Sequence, residues 1–253
     1  MSQQTLSTQK NSNGEEQPKI PKKKFPKRVL SRLVEFQGIR KLPFQQYRNH
    51  VKNHYDGPAG GVLALGSLVS LHEPLVGRMI RKKKFDTTRF NSILDVGSGA
   101  GQILGHLLKG TNEKTQIIAF DLSHQMLKRA RNRVKDSRPN YVVGDMTQMP
   151  FPDESFDCIT CGWVIEHLPD PRPGLIEFQR VLRPGGSLLL LATEDTLSGA
   201  LTSRTWKCRT YNRKDLQKSC EESGLPWKEE LWFTRLHRFL KMGGILVEAT
   251  KPE

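Results

Sequence analysis

The most constraining feature of the sequence is a short apolar run that leads into a glycine-rich turn. Residues 93–102 read ILDVGSGAGQ. The apolar run predicts a buried strand, and the glycines allow a ligand to approach the turn without meeting a Cβ atom. A helix that starts near Gly101 offers free backbone N–H groups to an anion. The glycine spacing departs from the dinucleotide fingerprint G-x-G-x-x-G, which disfavours a nicotinamide-dependent oxidoreductase.

Short apolar runs and longer amphipathic stretches alternate from about residue 91 onward. Strands are expected at 92–96, 116–120, 140–143, 156–161, 187–192, 231–239 and 244–249, and helices at 101–108, 123–134, 171–182 and 213–223. Such alternation predicts a parallel sheet with helices on both faces. The last two strands leave little room for a helix between them, which predicts an antiparallel hairpin at the end of the sheet.

Two carboxylates follow the second and third predicted strands. Asp121 ends the second strand, where a carboxylate can accept both hydroxyls of a ribose, although it could also cap the helix that begins at Ser123. Asp145 follows the third strand and could accept from an adenine amino group while Met146 packs on the ring. A plain turn aspartate is the alternative for Asp145. Both lie at strand carboxyl ends, where open α/β sheets bind ligands.

Five stretches of the chain resemble the class I S-adenosylmethionine-dependent methyltransferases, and most closely the group that includes the ubiquinone and menaquinone biosynthesis enzymes. They are ILDVGSGAGQ, AFDLSHQML, VVGDMTQMPFPDESFDCIT, WVIEHLPDPRPGLIEFQRVLRPGGSLLL and TYNRKDLQKSCEESGL, within residues 91–250. The resemblance implies an α/β, Rossmann-like, seven-stranded, mostly parallel sheet with a reversed last strand. It also implies an enzyme whose cofactor is S-adenosylmethionine.

The resemblance further implies a cofactor role for individual residues. The three glycines would line the methionine part, Asp95 would support their loop, Leu122 and Met126 would flank the adenine, and Trp163 would lie near the transferred methyl. The predicted cofactor-binding set is Asp95, Gly97, Ser98, Gly99, Gly101, Asp121, Leu122, Met126, Asp145, Met146 and Trp163.

Methyl transfer is an in-line displacement, and a hydroxyl or protonated amine acceptor needs a base. Glu166 and His167, which follow the fourth predicted strand, are the candidate catalytic residues. The alternatives are a helix-start carboxylate and a packed histidine. No metal site is expected, because His50 and His54 lack a third ligand nearby. Cys158 and Cys161, three apart on a strand, would face opposite sides.

Charge divides the 253-residue chain unevenly. The net charge is +14, of which residues 1–92 carry +12 and residues 93–253 carry +2. We expect a disordered basic tail over residues 1–25, a helical extension or lid over 26–90, and the methyltransferase domain over 91–253. The basic third predicts an anionic membrane, a nucleic acid or a charged substrate as partner, with a solubilising tail as the alternative.

The absence of a secretory signal or a long apolar run predicts a cytoplasmic protein, and peripheral docking on a membrane surface stays open as an option. The apolar run 57–71 beside a basic helix favours a small-molecule acceptor of apolar or lipid-like character. Two alternatives stay open: a nucleic-acid methyltransferase that uses the basic N-terminal third, and a non-catalytic S-adenosylmethionine-binding module. The intact glycine turn and both carboxylates argue against the second. The sequence leaves the oligomeric state undetermined.

Overall fold

A computed structural model describes residues 8–10, 16–18, 72–196, 199–200, 203, 208–240 and 243–253. The described strands are β1 Thr8–Lys10, β2 Glu16–Pro18, β3 Ser92–Val96, β4 Gln116–Asp121, β5 Asn140–Val143, β6 Phe156–Gly162, β7 Leu182–Ala192, β8 Trp227–Glu230 and β9 Ile245–Thr250. The described helices are α1 His72–Arg81, α2 Gln102–Gly110, α3 His124–Val134, α4 Arg172–Val181, α5 Arg213–Glu222 and α6 Arg235–Leu240, with 3-10 turns at Thr87–Arg89 and Ile165–His167.

Seven strands form one mixed sheet in the order β5-β4-β3-β6-β7-β9-β8. Strands β3 to β7 run parallel, whereas β9 runs antiparallel to both β7 and β8. This confirms the predicted Rossmann-like sheet with a reversed last strand. The strand order changes direction at β3, so the loops that follow β3 and β6 lie side by side at the carboxyl edge, where such sheets bind ligands.

Alternate residues of the central strands face two separate cores. Ile93 faces the cluster shared with α1, α2 and α3, while Leu94 faces the cluster built with α4 and α5. Cys158 and Cys161 divide in the same way, as their spacing on a strand predicts. The fully buried central strands explain why the sequence shows unbroken apolar runs there rather than strict alternation.

One predicted element is wrong. Residues 231–239 were expected to form a strand, but the strand is β8, Trp227–Glu230, and α6 follows it. The alternating Leu231 and Phe233 are apolar because both are buried in the α1–α3 core where the chain leaves β8. The final two strands are antiparallel as expected, but a short helix separates them.

Only part of the N-terminal region falls within the described residues. In the segment predicted to be disordered, β1 and β2 pair antiparallel. Helix α1 lies in the helical extension or lid predicted over residues 26–90, whereas His50, His54 and most of that extension lie outside the described residues. Among the helices that the structure describes, none is long and apolar enough to cross a bilayer.

Candidate cofactor site

The turn between β3 and α2 has a backbone that glycine suits best. Gly97 and Gly99 have φ of 66° and 55°, in the left-handed region where a Cβ is strained. The N–H groups of Gly97 and Ser98 both donate to the Phe120 carbonyl, at 2.7 and 3.1 Å, which ties the turn to β4. A Cβ on Gly97 would overlap the Val164 side chain. The turn is therefore enclosed by β4 on one side and by the loop after β6 on the other.

Asp95, on the strand that leads into this turn, holds the turn through a hydrogen bond with Ser98. Its buried carboxylate accepts hydrogen bonds from the Ser98 hydroxyl and from the Thr160 hydroxyl, the latter at 2.6 Å. Burial raises the pKa of Asp95 to about 6 despite these two donors. Ser98, at 4% exposure, is thus a structural partner of Asp95 whose backbone lies in the turn.

Asp121 connects the turn to the next strand. Its Oδ2 accepts from the Gly99 N–H at 2.9 Å, and its Oδ1 accepts from the Ser123 N–H at 2.8 Å. The contact with Ser123 matches the alternative role of Asp121, at the entry to α3. It is compatible with the predicted role in ribose binding. Each carboxylate oxygen has two lone pairs, so the oriented group retains capacity for ribose hydroxyl donors.

The predicted adenine residues lie in the loop after β5 and at or just before the start of α3. The Asp145 Oδ1 accepts from the Thr147 N–H at 2.9 Å and from its hydroxyl at 2.8 Å, the contacts of a turn aspartate. Met126 is buried, with its thioether near Gly99, while Leu122 and Met146 are half-buried. The Gly144 N–H donates to the Asp121 carbonyl at 3.0 Å, which keeps the two acidic loops adjacent.

Trp163 closes the end of β6 on the acceptor side of the turn. It has φ of 57°, an uncommon value for a residue other than glycine, and such strained residues concentrate at functional sites. Its N–H donates to the Leu191 carbonyl at 2.8 Å, and its side chain is half-buried. The left-handed residue redirects the chain so that Val164 packs on Gly97.

The two candidate bases lie in the 3-10 turn beyond Trp163. The buried Glu166 carboxylate accepts from the Thr193 N–H at 2.7 Å and from its hydroxyl at 3.1 Å, and it also bonds the Cys208 thiol. Burial raises its pKa. Burial lowers the pKa of His167 to about 4, so this imidazole is neutral near pH 7.

Sequence reasoning missed the partners of these residues. Thr160 lies opposite Asp95 in the β3–β6 register, and Thr193 follows β7. The Tyr211 hydroxyl donates to the Ile165 carbonyl at 3.0 Å and thereby joins the loop after β7 to the loop after β6. Strand pairing would have suggested Thr160, but no local motif marks Thr193 or Tyr211.

The donor set fits the parts of S-adenosylmethionine. Helix α2 begins at the glycine turn without a side-chain cap, whereas Ser123 caps α3. Uncapped N–H groups at a helix start suit the carboxylate of an amino acid. An added Cβ on Gly99 would meet only ordinary van der Waals neighbours, the nearest being the Gln102 Oε1 at 3.5 Å, so no atom overlaps this position. Within the described residues, no group of His, Cys, Asp and Glu has a metal-binding arrangement.

Comparisons with known proteins agree with this geometry. A family model described as a methyltransferase domain matches residues 94–190. The ubiquinone/menaquinone biosynthesis C-methyltransferase UbiE of Hahella chejuensis is 27% identical over 158 residues, which cover 61% of this chain and 64% of that protein. The match therefore spans slightly less than two thirds of that relative's length.

Solved structures show the same fold. A SAM-dependent methyltransferase from Aquifex aeolicus matches with a TM-score of 0.57 and 20% identity, covering 81% of this chain and 98% of that one. The N-methyltransferase NodS from Bradyrhizobium japonicum, in complex with S-adenosyl-L-homocysteine, matches with a TM-score of 0.54 and 20% identity, covering 73% and 87%. Residues 94–190, which hold the glycine turn and the oriented Asp121, are thus similar to the methyltransferase domain of these S-adenosylmethionine-dependent enzymes.

Proposed function

We propose that the chain transfers a methyl group from S-adenosylmethionine to a small-molecule acceptor of apolar character. The observation that carries this proposal is the hydrogen bond from the Gly99 N–H to Asp121, which fixes the carboxylate predicted to bind the ribose against the left-handed glycine turn. A binding module without catalysis is the less economical interpretation, because the loop that carries Trp163, the residue predicted to lie near the transferred methyl, packs on the glycine turn through Val164.

The protein contributes binding and orientation to this chemistry. S-adenosylmethionine, when bound, supplies an electrophilic methyl group and a neutral leaving group. Asp121 accepts from the ribose, the start of α2 holds the carboxylate, and Trp163 with Val164 excludes water beside the methyl. An acceptor held in line at about 3 Å in such a dry site needs little further assistance.

The surroundings of the two candidate bases support a carbon acceptor. The Glu166 carboxylate is hydrogen-bonded to Thr193 and Cys208. The low pKa of His167 makes its imidazole a weak base. An enolised carbon needs less proton removal than a hydroxyl or a protonated amine. The name of the Hahella relative, a C-methyltransferase of ubiquinone and menaquinone biosynthesis, supports the same choice and an apolar ring as acceptor.

Calorimetric titration with S-adenosylhomocysteine tests the cofactor site directly. We expect micromolar binding that Asp121→Asn weakens by about 30-fold or more, because a charged acceptor of two ribose hydroxyls is lost. Asp136→Asn is the matched control, since this carboxylate pairs with Arg138 away from the turn. NADH should not bind. Equal affinity in the Asp121 and Asp136 variants, or tighter binding of NADH, would contradict the proposed site.

Basic residues on α3 keep a nucleic-acid acceptor as a second candidate. Lys128, Arg131 and Arg133 are exposed on this helix, which contains no acidic residue. Phosphate contacts give salt-dependent binding. Mobility-shift titration with transfer RNA and with duplex DNA, at two salt concentrations, distinguishes the candidates. Submicromolar, sequence- or structure-selective binding would favour the nucleic acid over the small molecule.

A further inference from the structure

Helix α6 and the residues around it form an amphipathic surface that the proposed activity does not use. Three large apolar side chains are exposed here: Leu236 at 62%, Phe239 at 83% and Leu240 at 50%. Among the described residues, the other exposed large apolar side chains are Val143 at 48% and Ile176 at 55%. The three residues lie three and four positions apart on one short helix. They therefore form one patch on its surface rather than scattered exposed residues.

The charge around this patch is all positive. Residues 231–245 contain Arg235, Arg238 and Lys241 and no Asp or Glu. Arg235 and Arg238 are exposed on α6 itself. The nearest acidic residue before the helix, Glu230, pairs with Arg213 at 3.4 Å. An apolar patch surrounded by cations is complementary to a surface that is itself both apolar and anionic.

A second basic run is held beside α6 by a direct contact. The Lys84 Nζ donates to the carbonyls of Trp232 and Phe233, at 2.7 and 3.3 Å, immediately before the helix. Lys82 and Lys83 precede it and are exposed, although Lys83 lies 3.8 Å from Asp86. The basic surface therefore draws on two distant parts of the chain, and its position depends on the fold.

The topology places this surface at the edge of the sheet that carries the cofactor site. Helix α6 connects the end of β8 to the start of β9, where Ile245 pairs with Ala192, the last residue of β7. Phe233 anchors the connection in the core, so the exposed side chains of α6 project from a fixed base. A flat partner docked on α6 would face the same edge as the glycine turn.

We propose that α6 and the adjoining run 82–84, here called the α6 surface, dock this protein on an anionic lipid bilayer. Leu236, Phe239 and Leu240 enter the interface between head groups and acyl chains, while the cations contact anionic head groups. A nucleic acid would satisfy the cations but leave the aliphatic side chains in water. The proposal rests on the α6 surface alone and does not require methyl transfer.

Vesicle sedimentation of the full chain tests the proposal. The probes are phosphatidylcholine vesicles with and without phosphatidylglycerol. We expect binding only to the anionic vesicles, and a loss of about tenfold or more in partitioning for the double variant Leu236→Ser, Phe239→Ser, because two apolar side chains no longer enter the interface. The double variant Arg235→Gln, Arg238→Gln should lose severalfold, and added salt should weaken the binding that remains.

Ile176→Ser is the matched control, because this residue is 55% exposed on α4, on the opposite face of the sheet. It should bind vesicles like the unmodified chain. All substituted side chains are exposed, so unfolding temperatures should agree among the variants and the parent. Full binding by the Leu236, Phe239 variant would overturn the proposal, because vesicle binding would then not use the apolar side chains of α6.

Two further outcomes would also overturn the proposal. Absence of binding to anionic vesicles at low salt would remove the lipid partner. A concentration-dependent dimer, seen by analytical ultracentrifugation and abolished by the same double variant, would assign the apolar patch to a second copy of the chain.

Discussion

Two regions at the same sheet edge are built in different ways. The cofactor region, residues 92–145, is tied together by contacts close in sequence or between paired strands, such as Asp95 with Ser98 and Asp121 with Ser123. The acceptor region, residues 156–211, is tied by side chains that join separate loops, such as Glu166 with Thr193. The difference teaches that the glycine turn is held by local contacts, whereas the loops after β6 and β7 are held to each other by contacts between distant parts of the sequence.

The largest expected effect comes from Gly97, where the two regions touch. Gly97→Ala should destabilise the protein by about 4 kcal/mol, because the new methyl group overlaps Val164 and the residue keeps a strained left-handed φ. Urea unfolding measures the loss, and calorimetry should show that binding of S-adenosylhomocysteine falls with it.

Two companion variants separate the causes of this loss. Gly99→Ala has a similar φ but no close neighbour, so it should cost only about 1 kcal/mol. Adding Val164→Ala to Gly97→Ala should recover part of the stability, because it removes the overlapping atoms. If all three variants lost the same unfolding free energy, the close contact between Gly97 and Val164 would make no contribution to stability.

The sequence correctly predicted the strands and helices that surround the glycine turn. Buried parallel strands produce continuous apolar runs, and left-handed turns demand glycine, so both leave local marks at residues 93–101. The turn contacts of Asp121 and Asp145 were also among the alternatives that the spacing suggested. These features depend on few residues, and those residues are neighbours in the chain.

The acceptor region and the end of the sheet could not be predicted in the same way. Thr193 and Tyr211 acquire their roles only when β6 and β7 lie side by side. No spacing of residues in the sequence therefore predicts these roles. The segment after β8 was predicted as a strand because Leu231 and Phe233 alternate with polar residues. Tertiary packing of both against the α1–α3 core produced that pattern, and the exposed apolar residues of α6 extended it.

The next effect concerns pH and lies in the cofactor region. The folded pKa of Asp95, about 6, is above its unfolded value of 3.8. Its stabilising contribution is therefore complete below 3.8 and is lost as the pH rises to about 6, by about 3 kcal/mol in total. Asp95→Asn removes this titration. Between pH 3.8 and about 6, the parent should therefore lose unfolding free energy that the variant keeps.

Urea titrations of both proteins at several pH values measure that gain. The difference between the two proteins isolates Asp95, because the carboxylates with lowered pKa, such as Asp157 and Glu177, titrate in both. A constant difference between about pH 4 and pH 7 would show that Asp95 is not desolvated in the way its burial indicates.

Glu166 provides the corresponding test in the acceptor region. Glu166→Ala should cost about 2 kcal/mol in unfolding free energy, because the buried Thr193 N–H loses its acceptor. Glu166→Gln keeps an acceptor and should cost less. Neither variant should change the affinity for S-adenosylhomocysteine, since the contacts of Glu166 lie outside the cofactor region.

The same pair of variants decides between positioning and base catalysis. Once an acceptor substrate has been identified, its kinetics can be measured. A positioning role predicts nearly normal kcat for Glu166→Gln and a raised acceptor KM for Glu166→Ala. The catalytic role predicted from the sequence would instead lower kcat by about 100-fold or more in both variants, with a changed pH profile.

The smallest effect concerns Tyr211, which joins the two loops of the acceptor region. Tyr211→Phe removes the hydrogen bond to the Ile165 carbonyl and should raise the open fraction of the loop after β7 by about fivefold, equivalent to about 1 kcal/mol. Limited cleavage by trypsin at Arg209 should accelerate accordingly, because fast opening makes the cleavage rate follow the open population. Tyr141→Phe is the control: that buried hydroxyl has no hydrogen-bond partner within the described part of the chain, so its removal should leave cleavage unchanged. Equal acceleration in both variants would indicate general loosening, and no acceleration in Tyr211→Phe would show that the acceptor region is held without this bond.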